Sequence, residues 1–262
     1  MHVTEPQQRP TELDGAAVSV AVRSLRDSGL AVIPEAYPLD YIAELHDAYH
    51  ALLDSGPEGR VQPTSGTHHV QMQVPLVQPF SDVATVAHPF AVQVLTRVLG
   101  EKFQCSYYNS NTAYPGSTHQ RVHRDSAPIF EDFAVPSPTT GIVVNIPLCD
   151  FTEENGSTEV WPGSHLIVDT PDDAGVELNE RSKALASSRV NIPAGSIVLR
   201  DPRVWHRGTP NQSTQERAML ALVYKRSWWG WRAPSLRVPA STMRDWPEHV
   251  QQIFAGAPVD PD

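Results

Sequence analysis

Residues 13–99 carry apolar side chains mainly at the three- and four-residue spacing of amphipathic helices. The segments predicted as helices are 13–28, a segment that begins at Asp40 and ends before Gly56, and 89–99. Gly29 and Gly100 directly follow the first and the third, and a glycine in that position commonly ends a helix. Residues 30–33 are continuously apolar and predict a short strand. The N-terminal third is therefore expected to be largely helical.

After residue 100, short segments rich in Val, Ile, Tyr and Trp alternate with turn residues. The segments predicted as strands are 102–113, 141–148, 158–161, 189–192, 196–200, 204–206 and 217–224. Because no helix-length pattern separates most of them, an antiparallel sandwich or barrel is favoured over a parallel sheet. Residues 172–188 are polar and are expected to form a surface insertion. The pattern predicts a mainly β fold with flanking helices, a cupin-like jelly roll with the N-terminal helices packed on one sheet.

The 262 residues contain no internal repeat, low-complexity segment or linker. We therefore expect a single domain over residues 1–262, in which the polar segment 1–14 is a candidate for disorder. No run of about 18 apolar residues is present, so we expect no transmembrane helix. The polar N-terminus is unlike a secretory signal. Cys105 and Cys149 are too few for a disulfide framework, and a cytoplasmic protein is expected.

The charge balance bears on the choice of partner. The chain has 30 acidic residues against 20 lysines and arginines, which gives a formal net charge of −10. Nucleic acids and anionic membranes bind proteins through concentrated positive surfaces, so this balance argues against both partners. We expect a small-molecule substrate and a protein that acts as a monomer or a homodimer.

The triplet His123-Arg124-Asp125 is the first candidate for metal chemistry. Residues i and i+2 of a strand point to the same face, so this imidazole and this carboxylate would stand side by side. A chain of this composition holds about 0.7 His-x-Asp triplets by chance. Alone, the triplet favours a hydrogen-bonded loop pair over a metal site.

Two further residues change that balance. His206 ends an apolar segment of the predicted β core, and with His123 and Asp125 it completes a set of two imidazoles and one carboxylate. This set is typical of non-haem iron(II) enzymes, in which it leaves positions on the metal open for dioxygen and substrate. Arg217 opens the apolar segment 217–224. A guanidinium there needs an anion, and a carboxylate that accepts two parallel hydrogen bonds is well suited.

Together these residues resemble the motifs of the phytanoyl-CoA dioxygenase family of iron(II)- and 2-oxoglutarate-dependent oxygenases. The motif segments are His123-x-Asp125, the stretch 154–165 with the sequence ENGSTEVWPGSH, and the stretch from His206 to Arg217 that begins HRGTPN. The resemblance covers roughly residues 25–230. It implies a distorted double-stranded β-helix, which agrees with the jelly roll predicted from the strand pattern.

By this resemblance, His123, Asp125 and His206 hold Fe(II), and 2-oxoglutarate and dioxygen are the cosubstrates. The implied reaction is the oxidation of an unactivated C–H bond, most simply hydroxylation, with release of succinate and carbon dioxide. Asp125 bears on the outcome, because related halogenases carry a small residue in place of this carboxylate. Its presence favours hydroxylation or another oxidative outcome over halogenation.

The resemblance also implies contacts to 2-oxoglutarate. The matched residues are Arg217, Thr158, Gln120, Asn111 and Thr209. Arg217 matches the arginine that holds the distal carboxylate, and Thr158 matches a threonine that assists it in several members. Gly208 departs from relatives that carry serine there, so that hydroxyl comes from Thr209 or the contact is absent.

Three segments are expected to bound the substrate cavity and to be mobile without ligand, namely 68–75, 126–137 and 228–231. They flank the metal-bearing strands and carry more apolar bulk than exposed loops usually need. Four further histidines are not expected to bind metal, namely His68, His69, His119 and His165. His165 lies in the Pro-Gly-Ser-His turn, where a structural hydrogen bond is expected.

Two other classes compete with the oxygenase. A non-catalytic metal- or ligand-binding jelly roll would need neither the intact set of ligands nor Arg217. A zinc hydrolase can use two nitrogen ligands and one carboxylate, but it has no use for an arginine placed to hold a dicarboxylate. The substrate is expected to be a small natural-product intermediate. Its identity, the site of oxidation and the choice among hydroxylation, desaturation, epoxidation and rearrangement stay open.

Overall fold

The computed structural model describes residues 13–55, 61–127, 129–130, 135–229 and 235–261. Most of the segment 1–14, the candidate for disorder, lies outside the described residues. Asp14 caps the first helix, because its side chain accepts a hydrogen bond from the Ala17 amide at 2.7 Å. No described helix is both long and apolar enough to cross a membrane.

The described α-helices are α1 (Gly15–Ser28), α2 (Leu39–Asp54), α3 (Val83–Val86), α4 (Pro89–Leu99), α5 (Leu178–Arg181), α6 (Ala240–Asp245) and α7 (Glu248–Ile253). The described strands are β1 (Leu30–Ile33), β2 (Val61–Pro63), β3 (His69–Gln73), β4 (Phe103–Ala113), β5 (Gly141–Pro147), β6 (Glu159–Val160), β7 (Ser188–Arg189), β8 (Ile197–Arg200), β9 (His206–Arg207), β10 (Arg217–Arg226), β11 (Val238–Pro239) and β12 (Val259–Asp260).

Two antiparallel sheets form the centre of the fold. The larger has seven strands in the order β1-β8-β5-β10-β4-β3-β2, and the smaller has three in the order β7-β6-β9. The longest pairing joins β10 to β4, from Arg217 opposite Ala113 to Arg226 opposite Phe103. Two antiparallel sheets built in this way are a jelly roll. The predicted fold class is confirmed.

Side chains along β10 alternate between two environments. Its odd-numbered residues from Arg217 to Lys225 line a cavity, whereas its even-numbered residues from Ala218 to Tyr224 belong to the apolar core. Successive residues of a strand point to opposite faces, so the strand period itself turns Arg217 toward the cavity. β8 obeys the same rule and ends on Arg200, which also lines the cavity.

The N-terminal helices cover the outer face of the larger sheet, as predicted. Their buried contributions to the shared core include Val22, Leu25, Leu45, Val94 and Leu95. Burial of each such side chain stabilises the fold by about 1.5–3 kcal/mol. Tyr49 ties α2 to β4 directly, because its hydroxyl lies 2.8 Å from the Ser110 hydroxyl and 2.6 Å from the Thr112 hydroxyl.

Several elements differ from those that the sequence pattern predicts. β2, β3, α3, α6 and α7 lie outside the predicted segments, and β7 ends at Arg189 instead of residue 192. β3 alternates three polar with two apolar residues, which is the period of a strand, and it pairs with β4 from His69 opposite Ala113 to Gln73 opposite Asn109. The insertion 172–188 is mainly exposed, as expected. Its Asn179 also accepts a hydrogen bond from the Val122 amide at 2.7 Å, next to His123.

The N-terminus of α4 creates a pH dependence of stability. His88 is buried, its Nδ1 accepts a hydrogen bond from the Phe90 amide at 3.2 Å, and its Nε2 donates to the Ala36 carbonyl at 3.1 Å. Burial lowers the pKa of His88 from 6.5 to about 4, against the opposing effect of the Ala36 carbonyl. Between these pH values the unfolded chain binds a proton that the native protein does not, so stability falls as the pH falls.

We expect His88→Asn, in which the amide oxygen replaces Nδ1 as the acceptor that caps α4, to remove this dependence. From neutral pH to pH 4, the wild type should lose up to about 3 kcal/mol more of its free energy of unfolding than the variant. Denaturant unfolding at a series of pH values measures the difference. Parallel pH profiles for the two proteins would show that His88 does not titrate in this range.

Candidate functional site

A cavity of about 680 Å³ lies between the two sheets, within the size range of small-molecule sites. Residues of β4, β5, β8 and β10 form one wall, and residues of β6 and β9 contribute to the other. The charged and imidazole side chains of its described lining are His69, His123, Asp125, Arg200, His206, Arg217 and Lys225. Such a concentration of titratable groups in one pocket marks a candidate functional site.

His123, Asp125 and His206, hereafter the triad, meet in this cavity. The two histidines form an isolated antiparallel bridge, in which each amide donates to the other carbonyl at 3.0 and 2.9 Å. Asp125 Oδ1 lies 3.7 Å from His123 Nε2 and 3.6 Å from His206 Nε2. The three ligating atoms lie within 4.8 Å of one another, so one ion could contact all three.

Backbone carbonyls orient both imidazoles of the triad. Nδ1 of His123 lies 2.9 Å from the Arg121 carbonyl, and Nδ1 of His206 lies 3.0 Å from the Val204 carbonyl. A proton on each Nδ1 is donated to that carbonyl and leaves the lone pair of Nε2 available, which is the tautomer that a metal needs. The donor set and its orientation therefore fit a divalent ion such as Fe(II).

Arg200 braces the triad, and the sequence analysis missed it. Its Nη2 donates to Asp125 Oδ2 at 2.6 Å. Its Nη1 lies 3.2 Å from His206 Nδ1, but with the Nδ1 proton donated to the Val204 carbonyl this is a contact between two donors and not a hydrogen bond. Partial removal from water in the cavity would by itself raise the pKa of Asp125, but the Arg200 guanidinium and the two imidazoles have a larger opposite effect and hold this pKa well below the usual range. Burial and the Arg200 charge lower the pKa of His206 to about 3. At neutral pH, Asp125 is thus ionised and His206 neutral, as metal ligands must be.

Arg217 lines the same cavity and is only 3% exposed. Its Nε and Nη1 are buried without a hydrogen-bond partner among the described residues. Burial lowers its pKa to about 10, so the guanidinium is charged at neutral pH. Its central carbon lies 4.8 Å from the centre of the Phe151 ring. A buried cation with unpaired donors fits an anionic ligand that accepts parallel hydrogen bonds.

Three of the other residues predicted to contact the cosubstrate also line the cavity, namely Thr158, Asn111 and Gln120. Gln120 is engaged at both ends of its amide. Nε2 donates to the Thr64 hydroxyl at 2.8 Å, and Oε1 accepts a hydrogen bond from the Gly208 amide at 2.7 Å. Gln120 therefore holds the segment after His206 in place.

Thr209 is the predicted cosubstrate contact that the structure places outside the cavity lining. Its hydroxyl is buried and donates to the Ser157 carbonyl at 2.8 Å, so it is already engaged within the protein. At Gly208, a Cβ atom would lie 2.8 Å from both Gln120 Oε1 and His69 Cε1. Glycine at this position therefore leaves room for these two side chains.

The four histidines that are not expected to bind metal belong to no metal-type cluster within the described part of the chain. His69 lies with Nε2 2.6 Å from the Thr118 carbonyl, and His165 with Nε2 3.1 Å from the Arg26 carbonyl. A proton on each of these nitrogens is donated to the carbonyl. Both imidazoles therefore hold loops together.

All three segments expected to bound the substrate cavity contribute to its described lining. They do so through residues 69–71, Ser126 and Trp229. Trp228 is 69% exposed instead. Residues 128 and 131–134 of the second segment, and residues 230 and 231 of the third, lie outside the described residues.

The chain is similar in sequence to known proteins over most of its length. It matches the family model described as phytanoyl-CoA dioxygenase over residues 25–219. It is 30% identical over 159 residues to the multifunctional dioxygenase prhA of Penicillium brasilianum, a match that covers 56% of this chain and 51% of prhA. The match thus spans about half the length of that relative.

Solved structures share its fold. The epimerase SnoN from nogalamycin biosynthesis, in complex with Fe3+, α-ketoglutarate and nogalamycin RO, aligns with a TM-score of 0.67 at 20% identity, over 90% of this chain and 92% of SnoN. HygX of Streptomyces hygroscopicus, with nickel, 2-oxoglutarate and hygromycin B bound, aligns with a TM-score of 0.62 at 14% identity, over 84% of this chain and 90% of HygX. These structures support the jelly-roll fold. Because the family model matches residues 25–219, the chain belongs to the phytanoyl-CoA dioxygenase family.

Proposed function

We propose that this protein is an iron(II)- and 2-oxoglutarate-dependent oxygenase that oxidises a C–H bond of a small organic substrate, most simply by hydroxylation. The observation that carries the proposal is Arg217, whose buried Nε and Nη1 have no partner among the described residues, in the cavity that also holds the triad. A metal-type triad beside an unpaired cation fits a ligand with a chelating group and a second carboxylate, as 2-oxoglutarate has.

The polar residues of the cavity have distinct roles. The two Nε2 atoms of the triad and Asp125 Oδ1 hold Fe(II), and Arg217 binds the distal carboxylate of 2-oxoglutarate. Thr158 and Asn111 add polar contacts to that molecule, and Gln120 keeps the segment after the second histidine in position. The iron and 2-oxoglutarate pair supplies, with dioxygen, an oxidant strong enough for an unactivated C–H bond. Apolar side chains of β5, β8 and β10 keep bulk water from that bond.

Hydroxylation is the outcome that we propose within this reaction class. Asp125 supports it over halogenation, because a carboxylate occupies the position that a halide would need. SnoN is described as an epimerase and prhA as a multifunctional dioxygenase. Epimerisation, desaturation, epoxidation and rearrangement are therefore the alternative outcomes, and product analysis distinguishes them.

We propose a natural-product intermediate as the substrate. The cavity of about 680 Å³ supports a small molecule, and the similar structures SnoN and HygX hold nogalamycin RO and hygromycin B. The net charge of −10 argues against a nucleic-acid or membrane partner. We propose that one domain over residues 1–262 carries out the reaction. We also propose a cytoplasmic location, because free thiols such as those of Cys105 and Cys149 stay reduced there.

The proposal predicts that succinate forms from 2-oxoglutarate only when Fe(II) and dioxygen are both present. A chelator should stop this reaction, and added Fe(II) should restore it. A zinc hydrolase would instead be active with Zn2+ and would leave 2-oxoglutarate unchanged. A ligand-binding jelly roll would bind the metal and form no succinate, so this assay separates all three classes.

We propose that Arg200 is a positioning residue, which affects metal binding through its contact with Asp125. Arg200→Gln should weaken Fe(II) binding by about 10- to 100-fold, because the outer oxygen of the carboxylate loses its charged partner. Arg200→Lys should recover part of this affinity. At saturating iron, the apparent KM for 2-oxoglutarate should change little. Competition with a metal-binding dye measures the affinity, and an unchanged value in Arg200→Gln would show that this arginine does not orient the ligand.

A further inference from the structure

Outside the cavity lining, His46, His50 and Glu216 form a second cluster of metal-ligand type. The two histidines lie one turn apart on α2, a spacing that puts both imidazoles on the same face of the helix. Glu216 directly precedes β10, so the cluster joins α2 to the start of that strand. The three side chains are 35%, 30% and 20% exposed, which leaves them accessible to an ion from solution.

The separations within this cluster are close to those of ligands around one metal ion. His50 Nε2 lies 3.1 Å from His46 Nε2 and 2.7 Å from Glu216 Oε1. Two ligand atoms at the usual distance from zinc, in tetrahedral geometry, are about 3.3 Å apart. All three ligand atoms lie within 4.8 Å of one another, so one ion could contact all three.

His50 Nε2 faces two partners, His46 Nε2 and Glu216 Oε1, and a single N–H cannot satisfy both by hydrogen bonding. A neutral imidazole carries one N–H, and a proton on His50 Nε2 can point either to Glu216 or to His46. A proton on His46 Nε2 as well would make two N–H groups face each other at 3.1 Å. A divalent cation accepts lone pairs from both imidazoles and from the carboxylate at once, which removes this conflict.

Neighbouring side chains support the same arrangement. His46 Nδ1 lies 3.4 Å from Asp47 Oδ1, and a proton shared there leaves the Nε2 lone pair facing the cluster. Carboxylates in this position orient metal-binding histidines and raise their basicity. Tyr49, between the two histidines in sequence, anchors α2 to β4 through buried hydroxyl contacts, so both imidazoles stand on a rigid element.

We propose that His46, His50 and Glu216 form a second metal site, for Zn2+ or a chemically similar divalent ion, distinct from the triad. Two imidazoles, one carboxylate and a water molecule complete a tetrahedron. The bound ion links α2 to the residue before Arg217, and it stabilises the folded chain because the unfolded chain does not hold these three ligands together. This site does not depend on the proposed oxygenase function.

The test titrates metal-depleted full-length protein with Zn2+ by calorimetry. The wild type should bind two equivalents, and a variant with His123→Ala and Asp125→Ala should bind one. In that background, His46→Ala, His50→Ala and Glu216→Gln should each weaken the remaining site by at least about tenfold and abolish the rise in Tm that Zn2+ causes. The matched control is His249→Ala, which removes an exposed histidine of α7 and should change neither value.

Co2+ provides a second readout, because its visible spectrum distinguishes tetrahedral from six-coordinate sites. We expect a tetrahedral spectrum in the background variant that disappears with His50→Ala. The second site is overturned if the background variant binds no stoichiometric metal, or if its metal affinity is unchanged by all three substitutions. If the background variant fails to fold, the wild type must lose one of two equivalents with His50→Ala alone. The second site is also contradicted if the wild type binds one equivalent of Zn2+ that is lost when the triad is removed but kept in His50→Ala. That result leaves the proposed function intact.

Discussion

Alanine in place of His123, Asp125 or His206 is expected to abolish turnover while the protein stays folded. Each substitution removes one of three Fe(II) ligands, and we expect iron affinity to fall by about 100-fold or more. The fold should survive, because these side chains line a cavity and two of them are more than a third exposed, His123 at 40% and Asp125 at 36%. Iron content, succinate formation and Tm, measured on each variant, test the three statements separately.

The matched control for this series is His119→Ala, four residues before the triad begins. His119 is exposed and lies outside the described cavity lining, so its loss should leave iron content and succinate formation near the wild-type values. Any one of the three triad variants with near-native iron affinity and activity would contradict the proposed ligand set.

Arg217→Ala should raise the apparent KM for 2-oxoglutarate by roughly one to three orders of magnitude. The truncation leaves a carboxylate buried without its charged partner, at a cost of about 2–5 kcal/mol, and each 1.4 kcal/mol is about tenfold in binding. Iron affinity should hardly change, because the proposed metal ligands are other residues. Rates measured over a range of 2-oxoglutarate concentrations, with iron binding measured in parallel, separate the two effects.

Two controls sharpen the Arg217 experiment. Arg217→Lys should recover only part of the loss, because an ammonium cannot form the two parallel hydrogen bonds of a guanidinium. In the wild type, 2-oxo acids with a single carboxylate should be poor cosubstrates, because they offer Arg217 no second carboxylate. An unchanged dependence on 2-oxoglutarate in Arg217→Ala would mean that this arginine has another partner.

Local pattern was sufficient for the elements that pack against the core. β1 has the predicted bounds 30–33, and α4 has the predicted bounds 89–99, with Gly100 directly after it. In α4 the apolar residues recur at the three- and four-residue spacing of one buried helix face, and β1 is a short run of four consecutive apolar residues directly after Gly29. β2 and β3 lie outside the predicted strands. β3 does alternate polar and apolar residues as a strand does, but only two of its five residues are apolar, and its pairing with β4 is visible only in the folded sheet.

The site was predictable to the extent that its residues form a motif. The sequence identified the triad and Arg217 as candidates, and the structure brings all four side chains to one cavity. Arg200 was missed, although the same reasoning applies to it: it ends an apolar strand as Arg217 begins one, and a buried guanidinium needs an anion. Its anion is Asp125, which lies on a distant part of the chain, and only the folded structure brings the two within 2.6 Å.

The second metal-type cluster shows a different limit of sequence reasoning. The spacing of His46 and His50 by four residues is visible in the sequence and predicts a shared helix face. Two histidines on a helix surface are common, however, and the pair gains chemical meaning only when Glu216 is added. Packing of α2 against the sheet, through Tyr49 and β4, brings that carboxylate to 2.7 Å from His50.

The central claim is that 2-oxoglutarate and dioxygen react at the triad with Arg217 holding the distal carboxylate. The most direct test incubates the Fe(II)-loaded protein with 2-oxoglutarate under 18O2 and measures the isotope content of the succinate by mass spectrometry. We expect the wild type to form succinate with one 18O atom in the newly formed carboxylate, and His206→Ala to form none. Succinate without 18O, or no succinate under any iron loading, would contradict the central claim.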